Sequence, residues 1–178
     1  MDLFNFLLRE KTPVIFLVIA FGILLYLPSI NIPFINDEIS FIKRTEVSTF
    51  SELYTLFDKK DYDGDYYRPL PNFISGFITL FFSSQSGTDN PYKVSTYNFY
   101  YYRIFNLLLH TVAGVLVFFF CLTILKNQPD KKIISLFAAL FFLAFPLQDY
   151  AVIWHTDLFD RLMLIFYLAA LISFMKNS

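Results

Sequence analysis

Between residues 12 and 36 the chain carries no charged side chain, and no other feature narrows its possible folds as far. A hydrocarbon core about 30 Å thick needs roughly 20 helical residues to cross it, and this run supplies them. Further uncharged runs occupy residues 69–88, 104–125, 133–148 and 162–175, and the second of these also qualifies by itself. Of the 178 residues, 56% are hydrophobic and 21% aromatic, with 24 Phe and 12 Tyr, whereas 16% are charged. A soluble domain of this length cannot hide so much apolar surface. The pattern predicts an all-α integral membrane protein.

Arg9 and Lys11 precede the first run, but no small-x-small cleavage pattern follows it, so it reads as an uncleaved span. The lone Cys121 sits inside an apolar run and offers neither a disulfide nor a metal framework. The net charge of −1 argues against nucleic acid as a partner. Placing Arg9, Lys11, Lys126, Lys131, Lys132 and Lys176 inside satisfies the positive-inside rule. That orientation predicts one membrane module over residues 1–178. Its four spans fall at about 12–30, 103–125, 133–149 and 157–175, with a cytoplasmic N-terminus and an outer loop over 31–102.

Within that loop, a crossing by the run at 69–88 would flip the parity of every later span and put the lysine-rich loop outside. An amphipathic interfacial helix over about 69–83 fits better. Thr49 and Glu52 form a capping-box start for a short helix. Tyr92, Tyr97, Tyr100, Tyr101 and Tyr102 resemble an interfacial aromatic belt. The richness in Phe, Tyr and Ile with few Gly suggests an AT-rich bacterial genome, and hence a bacterial inner membrane.

Five groups of residues bear candidate chemistry. Asp37 and Glu38 arrive together just after the first span; Asn36 ahead of them is a good N-cap, and both carboxylates favour a helix dipole. Neighbours on a helix point about 100° apart, so at most one of the pair can face a given reacting atom. The stretch DYDGDYY at 61–67 superficially resembles a calcium loop. Its Gly is misplaced, and Asn72 stands where the bidentate Glu should fall, which leaves a solvated acidic loop. Arg68, next to Tyr67, either snorkels at the interface or presents its planar fork of donors to a phosphate. His110 lies within a span, as an interior hydrogen-bonded histidine or a site residue. His155, Asp157, Asp160 and Arg161 interrupt the last apolar stretch, where the charged ones can pair with one another or belong to a site.

Taken in order, the stretches NDE, YYRPLPNF, YRIFNLLLHT and FPLQDYAVIWHTDLFDR resemble the N-terminal part of GT-C glycosyltransferases. The resemblance is strongest to the transmembrane, tetratricopeptide-repeat-containing O-mannosyltransferases. The matching positions are Asp37-Glu38, Tyr67 to Leu70, Asn106 to His110, and Pro146 with Ala151, Val152 and Trp154. The sequence departs from the family at Phe145, Tyr150 and Asp157-Leu158, so a family Arg is missing while Asp160 is kept. The resemblance implies a GT-C-like N-terminal module of a longer enzyme, using a polyprenyl-phosphate-linked sugar and an acceptor on the outer side. It implies Asp37, with Glu38 beside it, as the catalytic carboxylate, and Arg68 with Tyr67 as the donor-phosphate site. His110, His155, Asp157, Asp160 and Arg161 become further substrate-site candidates. No metal or other cofactor is implied, and the remaining spans would lie on the rest of the enzyme or on another chain. The competing reading is a non-catalytic membrane protein that binds polyprenyl-phosphate lipid or partners a split enzyme. A channel subunit is disfavoured because the central spans lack a repeated polar stripe.

Overall fold

The computed structural model describes residues 12–58, 67–82 and 98–177, and all regular structure among them is helical. Helix α1 (Thr12–Tyr26) passes directly into a 3-10 turn, Leu27–Asn31, where Pro28 sits at the start and the Ser29 hydroxyl donates to the Tyr26 carbonyl at 2.6 Å. Three helices follow in the first loop: α2 (Glu38–Arg44), α3 (Phe50–Thr55) and α4 (Pro69–Phe82). The long α5 (Phe99–Ile124) and shorter α6 (Lys131–Ala144) come next. A 3-10 turn (Pro146–Gln148), α7 (Asp149–Ile153) and a second 3-10 turn (His155–Asp157) then lead into α8 (Leu158–Asn177).

Among the described residues, three segments are long and apolar enough to cross a membrane: Thr12–Asn31, Phe99–Ile124 and His155–Asn177. The sequence reading predicts a fourth over 133–149, and here the structure differs. Helix α6 stops at Ala144 because Phe145 takes an extended conformation ahead of Pro146 (φ −65°, ψ 123°), as a residue before proline prefers. Its 14 residues rise only about 21 Å. Helix α5 also begins earlier than expected: Asn98 caps it by accepting the Tyr100 N–H at 3.1 Å.

Helix α5 is the centre of the bundle, packed by α1, α6 and α8. The core joins Val14 and Val18 of α1, Phe118 of α5, and Ala139 and Leu143 of α6. Small residues permit the close approach. A Cβ on Gly114 would lie 2.6 Å from Leu143, and one on Gly22 3.1 Å from the Thr111 hydroxyl. The Leu143 side chain thus seats directly against the α5 backbone at Gly114, where a larger residue would displace it.

The helices of the first loop form a second layer. Thr49 Oγ1 accepts the Glu52 N–H at 3.3 Å, so Thr49 caps the helix, while the Glu52 carboxylate reaches back one residue further and accepts the Ser48 N–H at 2.9 Å. The Ser48 N–H, with Thr49, holds the Glu52 carboxyl below its usual pKa. Helix α4 runs over 69–82, within a residue of the expected bounds, but its buried face sets polar and small residues, Asn72, Ser75, Gly76 and Thr79, beside Pro71 and Ile78. Thr45 Oγ1 donates to Ser75 Oγ at 2.8 Å, and Thr79 shares a hydrogen bond of 2.7 Å with the Tyr102 hydroxyl. The outward face carries Leu70, Phe77, Phe81 and Phe82. A water-facing helix would show the opposite arrangement.

At Gly76 an added Cβ would lie 2.5 Å from Leu56 and 2.9 Å from the Thr45 carbonyl. Gly76→Val is therefore expected to destabilise the loop layer by about 1–3 kcal/mol through overpacking. Thermal unfolding in detergent micelles measures this, and an unchanged transition would mean that α4 does not seat on α2 and α3.

Candidate functional site

The site is assembled where the chain leaves α1. Asn36 takes a positive φ of 51°, a conformation to which Asn is better suited than most residues. This turns the chain into α2, which starts at Glu38; Asp37 occupies the cap position without a side-chain capping bond, so Asn36 is not the N-cap that the sequence suggests. The two carboxylates then diverge as helical geometry demands. Glu38 points inward and is fully buried, and Asp37 borders a cavity.

Glu38 meets Arg103, near the start of α5, in a two-pronged ion pair: Nη1 to Oε1 at 2.6 Å and Nη2 to Oε2 at 2.8 Å. The rest of the guanidinium is also satisfied. Nε donates to the Ile32 carbonyl at 3.0 Å, Nη2 to the Pro33 carbonyl at 2.6 Å, and Nη1 to the Ile153 carbonyl. Glu38 in turn accepts the Ile35 N–H at 2.7 Å and the His155 N–H at 2.6 Å. This one cluster ties the end of the first span, the start of α2 and the turn after α7 to the central helix. A second polar set lies beside it. Asn106 Oδ1 accepts from His155 Nδ1 at 2.9 Å and from Arg161 Nη2 at 3.1 Å, while Arg161 Nη1 donates to the Trp154 carbonyl at 3.2 Å.

The clamp brings together residues more than a hundred positions apart. Trp154 Nε1 donates to Asp37 Oδ1 at 2.9 Å, and the Thr156 hydroxyl donates to the same oxygen at 3.2 Å. In front of them opens a cavity of about 440 Å³ lined by Asp37, Arg68, Trp154, Thr156, Asp157, Phe159 and Asp160. Arg68 lies 5.5 Å from the centre of the Phe159 ring, within cation–π range. Arg68 and Phe159 also border a neighbouring groove of about 320 Å³, walled by Tyr67, Pro69 and Leu70 on one side and Leu162, Met163 and Phe166 on the other. A polar chamber and an apolar groove thus share one arginine.

Of the residues singled out from sequence, Asp37, Arg68, Asp157 and Asp160 converge on the cavity, and Tyr67 lines the groove. Glu38, His155 and Arg161 form the buried framework behind it. His110 stands apart in the bundle, 3.5 Å from the Leu143 carbonyl, edge-on to Tyr26 and stacked on Phe142. Most of DYDGDYY, all but Tyr67, lies outside the described residues, as do Tyr92 and Tyr97. Sequence reasoning passed over Arg103 and Thr156. Arg103 had a readable signal: it is an ionisable residue at the mouth of a span, on one helical face with Asn106 and His110. Thr156 had none.

Arrangement of side chains and likeness to known proteins are separate matters. No protein-family model matches the chain, nor does any curated protein or any solved structure. What the fold defines is a helical protein with three helices suited to crossing a membrane and a polar cavity at the point where its loops meet the bundle.

Removing one partner of a buried ion pair strands the other charge, which costs about 3–5 kcal/mol. Arg103→Ala and Glu38→Ala are each expected to lose stability on that scale in detergent. The double change Glu38→Leu with Arg103→Met should recover a substantial part of it. Equal losses in the single and double variants would show that the pair does not act as a unit.

Proposed function

We propose that the chain is the N-terminal module of a GT-C-type glycosyltransferase that moves a sugar from a polyprenyl phosphate to an acceptor hydroxyl, with inversion. The observation that carries this reading is that Asp37 and Arg68 line a single cavity, and that Arg68 also borders an apolar groove. A lipid-linked sugar phosphate has that same division: a polar head, a phosphate and an apolar tail. The family resemblance of the ordered motifs adds to it, whereas no known protein matched in the comparisons contributes.

In this mechanism Asp37 takes the proton of the acceptor hydroxyl as its oxygen attacks the anomeric carbon. The bond from that carbon to the phosphate oxygen breaks, and its electron pair leaves with the polyprenyl phosphate. The guanidinium of Arg68 faces the charge that grows on the phosphate, a match of geometry as well as sign. Asp157 and Asp160 offer hydroxyl-binding carboxylates across the cavity. Glu38 carries no step, since it is fully buried in its pair with Arg103. The mechanism calls for no metal.

The membrane arrangement belongs to the same proposal. The N-terminus is cytoplasmic, the loop layer lies on the outer side of a bacterial inner membrane, and α6 with the turns after it completes a fourth crossing. The exposed Phe77, Phe81 and Phe82 of α4, beside Tyr101, support an interfacial position for that helix.

The test is transfer from radiolabelled polyprenyl-phosphate mannose in membranes containing the protein, read as release of polyprenyl phosphate. Asp37→Asn is expected to lower the rate about 10²–10⁴-fold, and Arg68→Ala to weaken donor binding with a smaller effect on turnover. Activity at the wild-type level in Asp37→Asn would remove the assigned base. Donor binding without any turnover in the wild-type chain would favour a non-catalytic lipid-binding subunit.

A further inference from the structure

The assignment of Asp37 as the base leaves open what holds its carboxylate in a productive orientation. Rotation about the terminal bond of an aspartate is soft and roughly two-fold, so an unrestrained carboxylate offers either oxygen over a broad range of angles. Here both donors that reach Asp37 among the described residues go to one oxygen, Oδ1: the Trp154 indole N–H at 2.9 Å and the Thr156 hydroxyl at 3.2 Å. Oδ2 accepts no bond from a described residue, and Asp37 borders the cavity. We propose that Trp154 and Thr156 are positioning residues that lock the Asp37 carboxylate by its Oδ1 and so present Oδ2 to the acceptor hydroxyl, an inference that rests on Asp37 being the base.

The donors are themselves fixed. The Trp154 N–H is bonded to the Tyr150 carbonyl at 2.8 Å, and the Trp154 carbonyl accepts from Arg161 at 3.2 Å and from the Asp157 N–H at 3.2 Å. Between the two donors, the His155 N–H is bonded to Glu38 at 2.6 Å. Three consecutive residues, 154 to 156, therefore hold two consecutive residues, 37 and 38. Side chains 154 and 156 hold the side chain of Asp37, and the backbone of 155 holds the side chain of Glu38. With its neighbour clamped to Arg103, Asp37 has little freedom except rotation of its own carboxylate, and the two donors remove that. Trp154 and Thr156 also line the cavity, so the lock is formed on the wall at which an acceptor would arrive.

Trp154 is the only tryptophan in the chain, so indole-labelled protein in detergent gives one indole N–H resonance that reports directly on this bond. Asp37→Asn replaces a charged acceptor by a neutral one, and the resonance is expected to move upfield. In the transfer assay with polyprenyl-phosphate mannose, Trp154→Phe and the isosteric Thr156→Val should each lower kcat about 10–100-fold, with KM for the donor within twofold. Thr156→Ser, which keeps the hydroxyl, should restore most of the rate. An indole resonance that ignores Asp37→Asn overturns the proposal whatever the activity. A resonance that moves while both variants turn over normally, with Asp37→Asn inactive, overturns the positioning role and leaves the base in place. Full activity in Asp37→Asn removes the base itself, and the positioning role with it. If Trp154→Phe does not fold, Thr156→Val and Thr156→Ser decide the matter alone.

Discussion

The pairing of Glu38 with Arg103 is the contact on which the rest of the site depends. Neither residue is exposed, and two ions taken out of water repay their desolvation only when geometry and additional hydrogen bonds are complete. Here they are complete: every N–H of the guanidinium has an acceptor, and both oxygens of the carboxylate accept a backbone N–H besides the arginine. The consequence is specificity more than net stability. Carbonyls of Ile32, Pro33 and Ile153 are satisfied only when three separate parts of the chain arrive together, and any other arrangement leaves a buried charge unmet. A packed apolar contact would tolerate a shift of register; this one does not.

Helix α5 joins that polar knot to the apolar bundle. Arg103, Asn106 and His110 succeed one another along one face, followed by Ala113, Gly114 and Phe118. The upper part of the face thus organises the site, and the lower part packs against α1 and α6 through Gly114 and Leu143. His110 lies at the boundary, held by the Leu143 carbonyl and two aromatic rings. Its place marks where polar positioning gives way to close packing, which is an account of the residue that needs no role in chemistry.

Much of this was legible in the sequence, for identifiable reasons. Length and charge exclusion define α1, proline and capping define α4 and α3, and the divergence of Asp37 from Glu38 follows from adjacency on a helix. The differences have equally physical origins. Charge exclusion starts the second long span at about residue 103, whereas the helix begins at Phe99 and carries Arg103 inside it as a buried ion-pair partner. The apolar segment 133–149 does not form one continuous helix, because Pro146 conditions the residue before it and ends the helix at Ala144. The contacts of Trp154 and Thr156 with Asp37 bridge separations of 117 and 119 residues, and no local periodicity encodes them.

The doublet Asp37-Glu38 makes sense as a division of labour between neighbours. A carboxylate that meets a substrate has to be exposed to it, and an exposed side chain is poorly fixed by packing. Adjacent Cα atoms are about 3.8 Å apart along a rigid peptide link, so burying and clamping Glu38 fixes the backbone of Asp37 without covering its side chain. The two donors from the opposing turn then restrain what the backbone does not. The same logic separates the cations: Arg103 and Arg161 are committed to the buried framework, and Arg68 alone among these three arginines reaches the cavity wall. A site built this way keeps its buried charged framework behind the cavity wall and places Arg68 beside the carboxylates of Asp37, Asp157 and Asp160 on the wall itself.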